Sequence, residues 1–325
     1  MSEAVDSIMQ RAEADSLTRA PDVSIIIVGL NAREYVRQSL KSIAAADWRT
    51  YQHEVVYVDN GSADGSPGMV AEEFPDTVLI ANSTNTGFCK AANQGALRAR
   101  GRHYYFLNDD TIVQGEAIAL LIESMDHDRD AGTVGSRLIY PDGTEQFSGR
   151  RFPTLLNGIW GRKSFLTRLF PTAPWVKDYL CTEQLMGEEP FAVDWVSAAG
   201  QIVRRETFEK IGGFAEDYYY WHEAIFCDRI RATGKTVLLH PRSKIIHFEG
   251  KGSGTRTFRA QRFHIVNFHS GAFRCYCEHY QLGPVHPLRW FAAVALTSRA
   301  AVLLVANGMR SGWFWTTARL TGSRV

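Results

Sequence analysis

Two short stretches of this sequence carry residue types at spacings that could do chemistry. The first is Asn108-Asp109-Asp110-Thr111, directly after the apolar run Tyr104-Tyr105-Phe106-Leu107. The second is Tyr220-Trp221-His222-Glu223. Carboxylates at the tip of a strand suit a hard divalent cation, Mg2+ or Mn2+, which takes one or two of them and completes its shell with substrate phosphate oxygens. Such a cation would neutralise a diphosphate, and an acid on a later loop could take a proton from an acceptor. Together the stretches predict metal-assisted transfer from a nucleotide-activated donor. Asp110 is the expected main metal ligand, with Asp109 and Asn108 reaching the metal through water or touching a ribose. A plain turn rich in Asn and Asp accounts for the same residues without any ligand.

Further candidates surround these two. Asp59 ends an apolar run and can accept from a base N–H or a ribose hydroxyl; Asn60-Gly61-Ser62 lets backbone approach a ligand closely, or simply makes a tight turn. Asn85-Thr86-Gly87-Phe88 leads into a helical pattern. Gly87 would leave that helix N-terminus open to a diphosphate, with Lys90 one turn in adding charge; the plainer reading is a helix start capped by Thr86. His247 closes a predicted strand before Glu249-Gly250-Lys251-Gly252-Ser253-Gly254, a glycine-rich stretch suited to closing over a donor. Glu223 is the candidate general base, and the aromatics before it could stack on a sugar face; an acid in a helix's first turn is also favoured by the dipole alone.

The elements that must position these residues alternate. Strands are expected at 23–28, 54–58, 78–80 and 104–107, with helices at 35–43, 69–74 and 87–100. This order requires right-handed crossovers and a parallel sheet, whose ligands bind beyond the carboxyl ends of the strands. Asn31, Asp59 and Asp109-Asp110 all follow strand ends and are expected to share one cleft. A return strand is expected at 193–199, helices at 206–211 and 223–232, and two separate strands at 236–239 and 244–247. Residues 150–190, with Pro153, Pro171, Pro174, Pro190 and the basic Arg162-Lys163, read as an insertion that shapes an acceptor region.

The chain has 325 residues, 45% hydrophobic and 22% charged, with a formal net charge of +1, which argues against a global field for nucleic acid. Five cysteines without a CxxC pair fit a reducing compartment rather than a disulfide framework or zinc site. Residues 1–20 are polar, lack the apolar core of a signal peptide and read as a flexible leader. Residues 290–309 are apolar around a central Arg299 and flanked by Arg289 and Arg310. That charge favours a helix lying at a membrane interface, or packed on the protein, over one that spans.

In order along the chain, several segments resemble inverting family 2 glycosyltransferases, particularly the bacterial rhamnosyltransferase-like members. They are Val23-Ser24-Ile25-Ile26-Ile27-Val28, Val58-Asp59-Asn60-Gly61-Ser62, Asn85-Thr86-Gly87-Phe88 with Asn93-Gln94-Gly95, Phe106-Leu107-Asn108-Asp109-Asp110-Thr111, Gly149-Arg150-Arg151-Phe152-Pro153, Asp194-Trp195-Val196 and Ile211-Gly212-Gly213-Phe214. The resemblance implies an α/β GT-A nucleotide-diphospho-sugar transferase fold over 21–255, a Rossmann-like, mostly parallel sheet flanked by helices. A helical extension over 256–325 would follow, with 279–309 the candidate membrane contact.

Residue by residue, the resemblance implies that Asp59 contacts the nucleotide base, that Asp110, with Asn108 at the first position of the motif, and His247 hold the metal, and that Asp194 and Trp195 border the acceptor. From the residues themselves, Asn31, Asn60, Asn85, Gly87, Lys90, Asn108 and Asp109 are expected around the donor, and Trp221 and His222 on the acceptor side. Members invert the anomeric centre by direct displacement. The implied donor is a dTDP-, UDP- or GDP-sugar and the implied acceptor a glycan or lipid-linked sugar in cell-envelope polysaccharide synthesis. The expected location is cytoplasmic, at the inner face of the membrane.

One departure stands out. Members carry Glu-Asp after the aromatic run and another acid two residues beyond the Asp, whereas this chain has His222-Glu223-Ala224-Ile225. Glu223 then falls at the base position with one extra methylene. That departure motivates an alternative, a non-catalytic nucleotide-sugar or glycan-binding protein on the same fold. A dinucleotide-binding enzyme is disfavoured, because Gly29-Leu30-Asn31-Ala32 lacks the G-x-G-x-x-G pattern.

Overall fold

The computed structural model describes residues 20–152, 154, 169–170, 172–250 and 258–321. Residues 1–19 of the polar leader, Pro153, Arg162-Lys163, Pro171 and the 251–254 part of the glycine-rich stretch lie outside the described residues. Eleven strands and nine α-helices are described. They run β1 (Val23–Gly29), α1 (Arg33–Ala44), β2 (His53–Asp59), α2 (Ser66–Glu73), β3 (Val78–Ala81), α3 (Phe88–Arg98), β4 (His103–Asn108), β5 (Thr111–Val113), α4 (Ala117–His127), β6 (Ala131–Ile139) and β7 (Gly149–Arg150). Then come α5 (Pro174–Leu180), β8 (Phe191–Ala192), β9 (Trp195–Val196), β10 (Gly200–Arg204), α6 (Arg205–Lys210), α7 (His222–Ala232), β11 (Thr236–His247), α8 (Phe258–His279) and α9 (Pro287–Thr321).

A nine-stranded sheet organises the protein, in the order β3-β2-β1-β4-β10-β6-β11-β5, with β8 paired to β11. The first four strands are parallel, and β6 and β11 are parallel to each other. β10 runs antiparallel between β4 and β6. β1 shows why the pattern is a continuous apolar run. Ile26 faces one core with Val56, Val58 and Phe106, while Ile25 and Ile27 face the other with Val36 and Leu40. Burying each such side chain contributes about 1.5–3 kcal/mol, so both faces drive the strand inward. α3 lies close on the sheet at Gly95, where a Cβ would come within 2.5 Å of Ile26.

The sheet curls where the site forms. Four strand spacings separate β4 from β5 in the order, about 19 Å on a flat sheet, yet the chain from Asn108 to Thr111 can reach only about 11 Å. The far end must therefore bend back. β5 then pairs antiparallel with the end of β11, setting His247 opposite Thr111.

Two expectations are corrected by the structure. The return strand is β10, Gly200–Arg204, while within 193–199 only Trp195–Val196 is extended in a sheet, a two-stranded pairing with β7. The strands expected at 236–239 and 244–247 are one strand, β11, which keeps its pairing to β6 across an irregularity between His240 and Lys244. Residues 117–139 hold a buried helix and strand, α4 and β6, that the sequence reading missed; α4 is apolar nearly all round, so it lacks the polar face that marks a surface helix.

Two buried imidazoles make the fold acid-sensitive. Burial pushes the His103 and His240 rings down to about 4, helped by the positive Arg102 and Arg204 in the first case and Arg242 in the second. An unfolded chain binds these protons near pH 6.5, so the stability contribution is complete above that value and lost as pH falls toward the folded pKa. The loss is on the order of 3 kcal/mol per imidazole at the limit. Denaturant unfolding should give a lower free energy at about pH 5 than at about pH 7, and His103→Gln should flatten the difference. Equal free energies at the two pH values would contradict this account.

Candidate active site

Asp110 and His247 meet at the curled end of the sheet. The His247 Nε2 lies 3.1 Å from Asp110 Oδ1, and both side chains are buried. The backbone N–H of Phe248 donates to the Asp110 carbonyl at 3.0 Å, locking the two segments together. The imidazole is held from behind by Gln146, whose amide N–H donates to the His247 carbonyl at 2.6 Å while its Oε1 lies 2.8 Å from Nδ1. That arrangement assigns the neutral ring's proton to Nδ1 and leaves the Nε2 lone pair aimed at Asp110 and at the Asn108 amide, 3.2 Å away.

A lone pair beside a carboxylate is the chemistry of a cation site, with Gln146 orienting the ligand from its far side. Among the described residues no group of three or more His, Cys, Asp or Glu is placed to hold a metal. The pair thus suits an ion that draws its remaining ligands from phosphate and water. Sequence reading missed Gln146, because nothing local links it to a strand about a hundred residues later.

Asp109 turns the other way. Its carboxylate accepts from the Leu30 N–H at 3.3 Å, and burial together with the neighbouring Asp110 charge pushes it up to about 7. Leu30 begins a chain of contacts through the strand-end loops. Asn31, at a left-handed φ of 51°, donates its N–H to Ser62 Oγ and accepts from the Ala63 N–H.

Asp59 is 1% exposed and accepts from the N–H groups of Gly61 and Ser62 and from the Tyr57 hydroxyl. Gly61 has a φ of 88°, and a Cβ there would lie 2.9 Å from the Thr84 backbone. Asn60 clamps the next loop: its amide donates to Asn85 Oδ1, and its own Oδ1 accepts from the N–H and hydroxyl of Thr86.

Thr86 is therefore occupied by Asn60 and does not cap α3, contrary to the plainer reading above. The N-cap is Gly87, at φ 86° and ψ 156°, with no side-chain cap bond. Its backbone is restricted to glycine, while the space around a Cβ is open. The first N–H groups of α3 are left free of a side-chain cap, and Lys90 is exposed one turn in.

α3 meets α7 through aromatic packing. The Phe88 ring lies 5.0 Å from the His222 ring, and both pack on Phe214. Asn93 ties Phe214 down by accepting from its N–H and donating to its carbonyl, both at 3.0 Å. Glu223 sits in the first turn of α7, its Oε2 3.4 Å from His222 Nε2, and remains partly open to solvent. Ile225, where relatives would carry an acid, is fully buried in the core.

The acceptor candidates divide. Trp221 is the N-cap residue just before α7, at a left-handed φ of 68°, and its indole N–H donates to the Phe268 carbonyl of α8. Trp195 is buried, donates to the Arg151 carbonyl and lies 6.1 Å from the Trp221 ring. Asp194 accepts from the Phe152 N–H at 2.7 Å and from Arg231 of α7 at 2.9 Å. These groups brace the floor beneath α7.

A mixed sheet with its acidic loops gathered at the carboxyl ends of its strands, and a helical C-terminal region, is the architecture of a GT-A glycosyltransferase. The chain belongs to glycosyl transferase family 2, whose model matches residues 24–194. It is 25% identical over 299 residues to an N-acetylglucosaminyl-diphospho-decaprenol L-rhamnosyltransferase of Mycobacterium tuberculosis, covering 88% of this chain and 94% of the relative. It is 27% identical over 235 residues to the O-antigen biosynthesis protein RfbC of Myxococcus xanthus, covering 70% of this chain but only 17% of that protein. A mannosyltransferase from Pyrobaculum calidifontis, solved in complex with GDP-Man and Mn2+, shares the fold at a TM-score of 0.56 and 20% identity, covering 92% of this chain and 84% of that one.

Proposed function

We propose that this enzyme is a metal-dependent, inverting glycosyltransferase. It moves a hexose or deoxyhexose, rhamnose being the first to try, from a dTDP-, UDP- or GDP-sugar to a glycan or lipid-linked acceptor in cell-envelope polysaccharide synthesis. The observation that carries the reading is the Asp110–His247 pair, tautomer-locked by Gln146 at the carboxyl end of the sheet. A bound Mg2+ or Mn2+ would supply charge neutralisation of the diphosphate leaving group. Asp110 and His247 would hold that ion, and the uncapped N-terminus of α3 with Lys90 would take remaining phosphate charge. Asp59, Asn31 and the Asn60–Asn85 clamp would form the base and ribose wall. Glu223 would accept the proton of the acceptor hydroxyl as its oxygen bonds to the anomeric carbon and the bond to the diphosphate breaks. The relative's decaprenol-linked substrate and the solved mannosyltransferase's Mn2+ support the same class of partners. Calorimetric titration of dTDP, UDP and GDP, with and without Mn2+, tests the reading: one nucleotide should bind in a metal-dependent way, and binding of none would refute it.

The C-terminal hairpin supplies a surface for lipid. α8 packs against the catalytic domain, while the stretch Pro287–Met309 of α9 is long and apolar and leaves nearly all of its most apolar residues exposed. Trp290, Val294 and Val305 are exposed and share one helix face by spacing. Arg299 is also exposed on this helix, which favours an interfacial seat at the inner membrane face over a span. Full-length protein should partition onto vesicles of anionic phospholipid. The pair Trp290→Glu and Val294→Glu should weaken that partition by about tenfold or more, since each apolar side chain contributes roughly 1.5–3 kcal/mol. Unchanged partition would sink this assignment.

A further inference from the structure

Every residue from Asp217 to Trp221, the segment that feeds directly into α7, is held by α8. Arg274 donates to the Asp217 carbonyl at 2.8 Å and pairs with its carboxylate. The same guanidinium lies 4.3 Å over the Tyr218 ring, and the Tyr218 hydroxyl donates to Glu278 at 3.0 Å. Tyr219 packs edge-on against Phe263, and the Tyr220 hydroxyl lies 2.6 Å from His264 Nδ1. The Trp221 indole donates to the Phe268 carbonyl at 3.2 Å and packs on the Phe268 ring.

Two features show that this contact is tight. Gly271 lies mid-helix in α8, where glycine weakens a helix by roughly 1 kcal/mol relative to alanine. A Cβ there would lie 2.9 Å from the Tyr220 carbonyl oxygen and 3.3 Å from Trp221, so the missing side chain is what lets the two backbones approach. Trp221 itself holds a left-handed backbone, a state that costs a bulky residue about 1–3 kcal/mol and persists only when its surroundings determine it. Its carbonyl then accepts the Ile225 N–H at 3.1 Å, so this strained residue sets the direction of the turn that carries Glu223.

We infer that α8 is a positioning strap for Glu223: Phe268, Gly271, His264 and Arg274 hold 217–221 so that the first turn of α7 presents the carboxylate to the acceptor. The C-terminal region is thereby part of the catalytic apparatus, beyond any role in attachment. Trp221 acts as a positioning residue rather than as a sugar platform, because its polar edge is turned onto α8. This inference rests on the reading of Glu223 as the base.

The test compares full-length wild type, Gly271→Ala and Trp221→Phe, with Glu223→Gln as the reference. Wild-type turnover lost in Glu223→Gln establishes the base; without that loss the functional reading fails before the strap is tested. Given the base, Gly271→Ala should lower kcat by about tenfold or more, since a displacement near 1 Å can cost ~100-fold. Donor Kd, measured by calorimetry, should stay within about twofold, because the loops gripping the nucleotide are elsewhere. Trp221→Phe keeps an aromatic ring at this position and removes the indole N–H bond to Phe268, and should show the same split to a lesser degree should the alanine variant not fold. Unchanged kcat in the folded variants overturns the strap, and so does a donor Kd that rises in step with the loss of kcat.

Discussion

Glu223→Gln is expected to lower turnover by about 10²- to 10⁴-fold while leaving nucleotide binding within about twofold, the loss typical of a general base. The substitution preserves length and shape, so packing at the start of α7 is kept. The dipole contribution lost is about 0.3–1 kcal/mol, too small to unfold the helix. What disappears is the one carboxylate at this turn able to accept a proton, held 3.4 Å from the His222 imidazole and partly open to solvent. His222 provides the adjacent polar partner, since Ile225 at the position of the absent second acid is sealed in the core. Steady-state assay with a confirmed donor and acceptor decides the matter. Wild-type kcat in the glutamine variant would remove Glu223 from the chemistry and return attention to a binding role for this segment.

Asp110→Ala is expected to raise the Kd of the cognate nucleoside diphosphate in Mn2+ by about 100-fold or more, which corresponds to roughly 2.8 kcal/mol. Affinity without metal should change little. The asymmetry follows from the donor set. His247 alone offers a neutral nitrogen, a poor match for a hard cation, and the carboxylate supplies the only anionic oxygen facing the His247 Nε2 among the described contacts. Asp109 cannot substitute, because its carboxylate is turned to the Leu30 N–H and burial opposes its charge. Calorimetry with and without Mn2+ on both proteins gives the comparison. Equal metal-dependent affinity in the variant would relocate the ion to other ligands.

Some of this was legible residue by residue. The β-branched run of β1, the strand-end positions of Asn31, Asp59 and Asp109-Asp110, and the helix starts at Gly87 and before Glu223 are local patterns, and the structure places each where its pattern points. Local pattern failed where pairing partners decide. Within 193–199 the residues are apolar enough for a long strand, but Gly200–Arg204 fits between β4 and β6, with Gly200 opposite Leu107. The two short strands near His240 merge because β6 continues beside both. Thr86 looks like a cap, yet Asn60 from the preceding loop claims both its N–H and its hydroxyl.

The sequence by itself determined the alternation of strands and helices, the end of the sheet that carries the acids, and the likeness of its motifs to family 2. These depend on periodicity and on residue types a few positions apart. Only the tertiary structure decided that His247 faces Asp110 with Gln146 behind it, that Asp194 and Trp195 brace α7 from within, and that α8 grips the segment before Glu223. Each of these is a contact between segments far apart in the chain. Its geometry is set by sheet register, by the curl that returns β5 to β11 and by the close approach at Gly271, and no short window of residues encodes those.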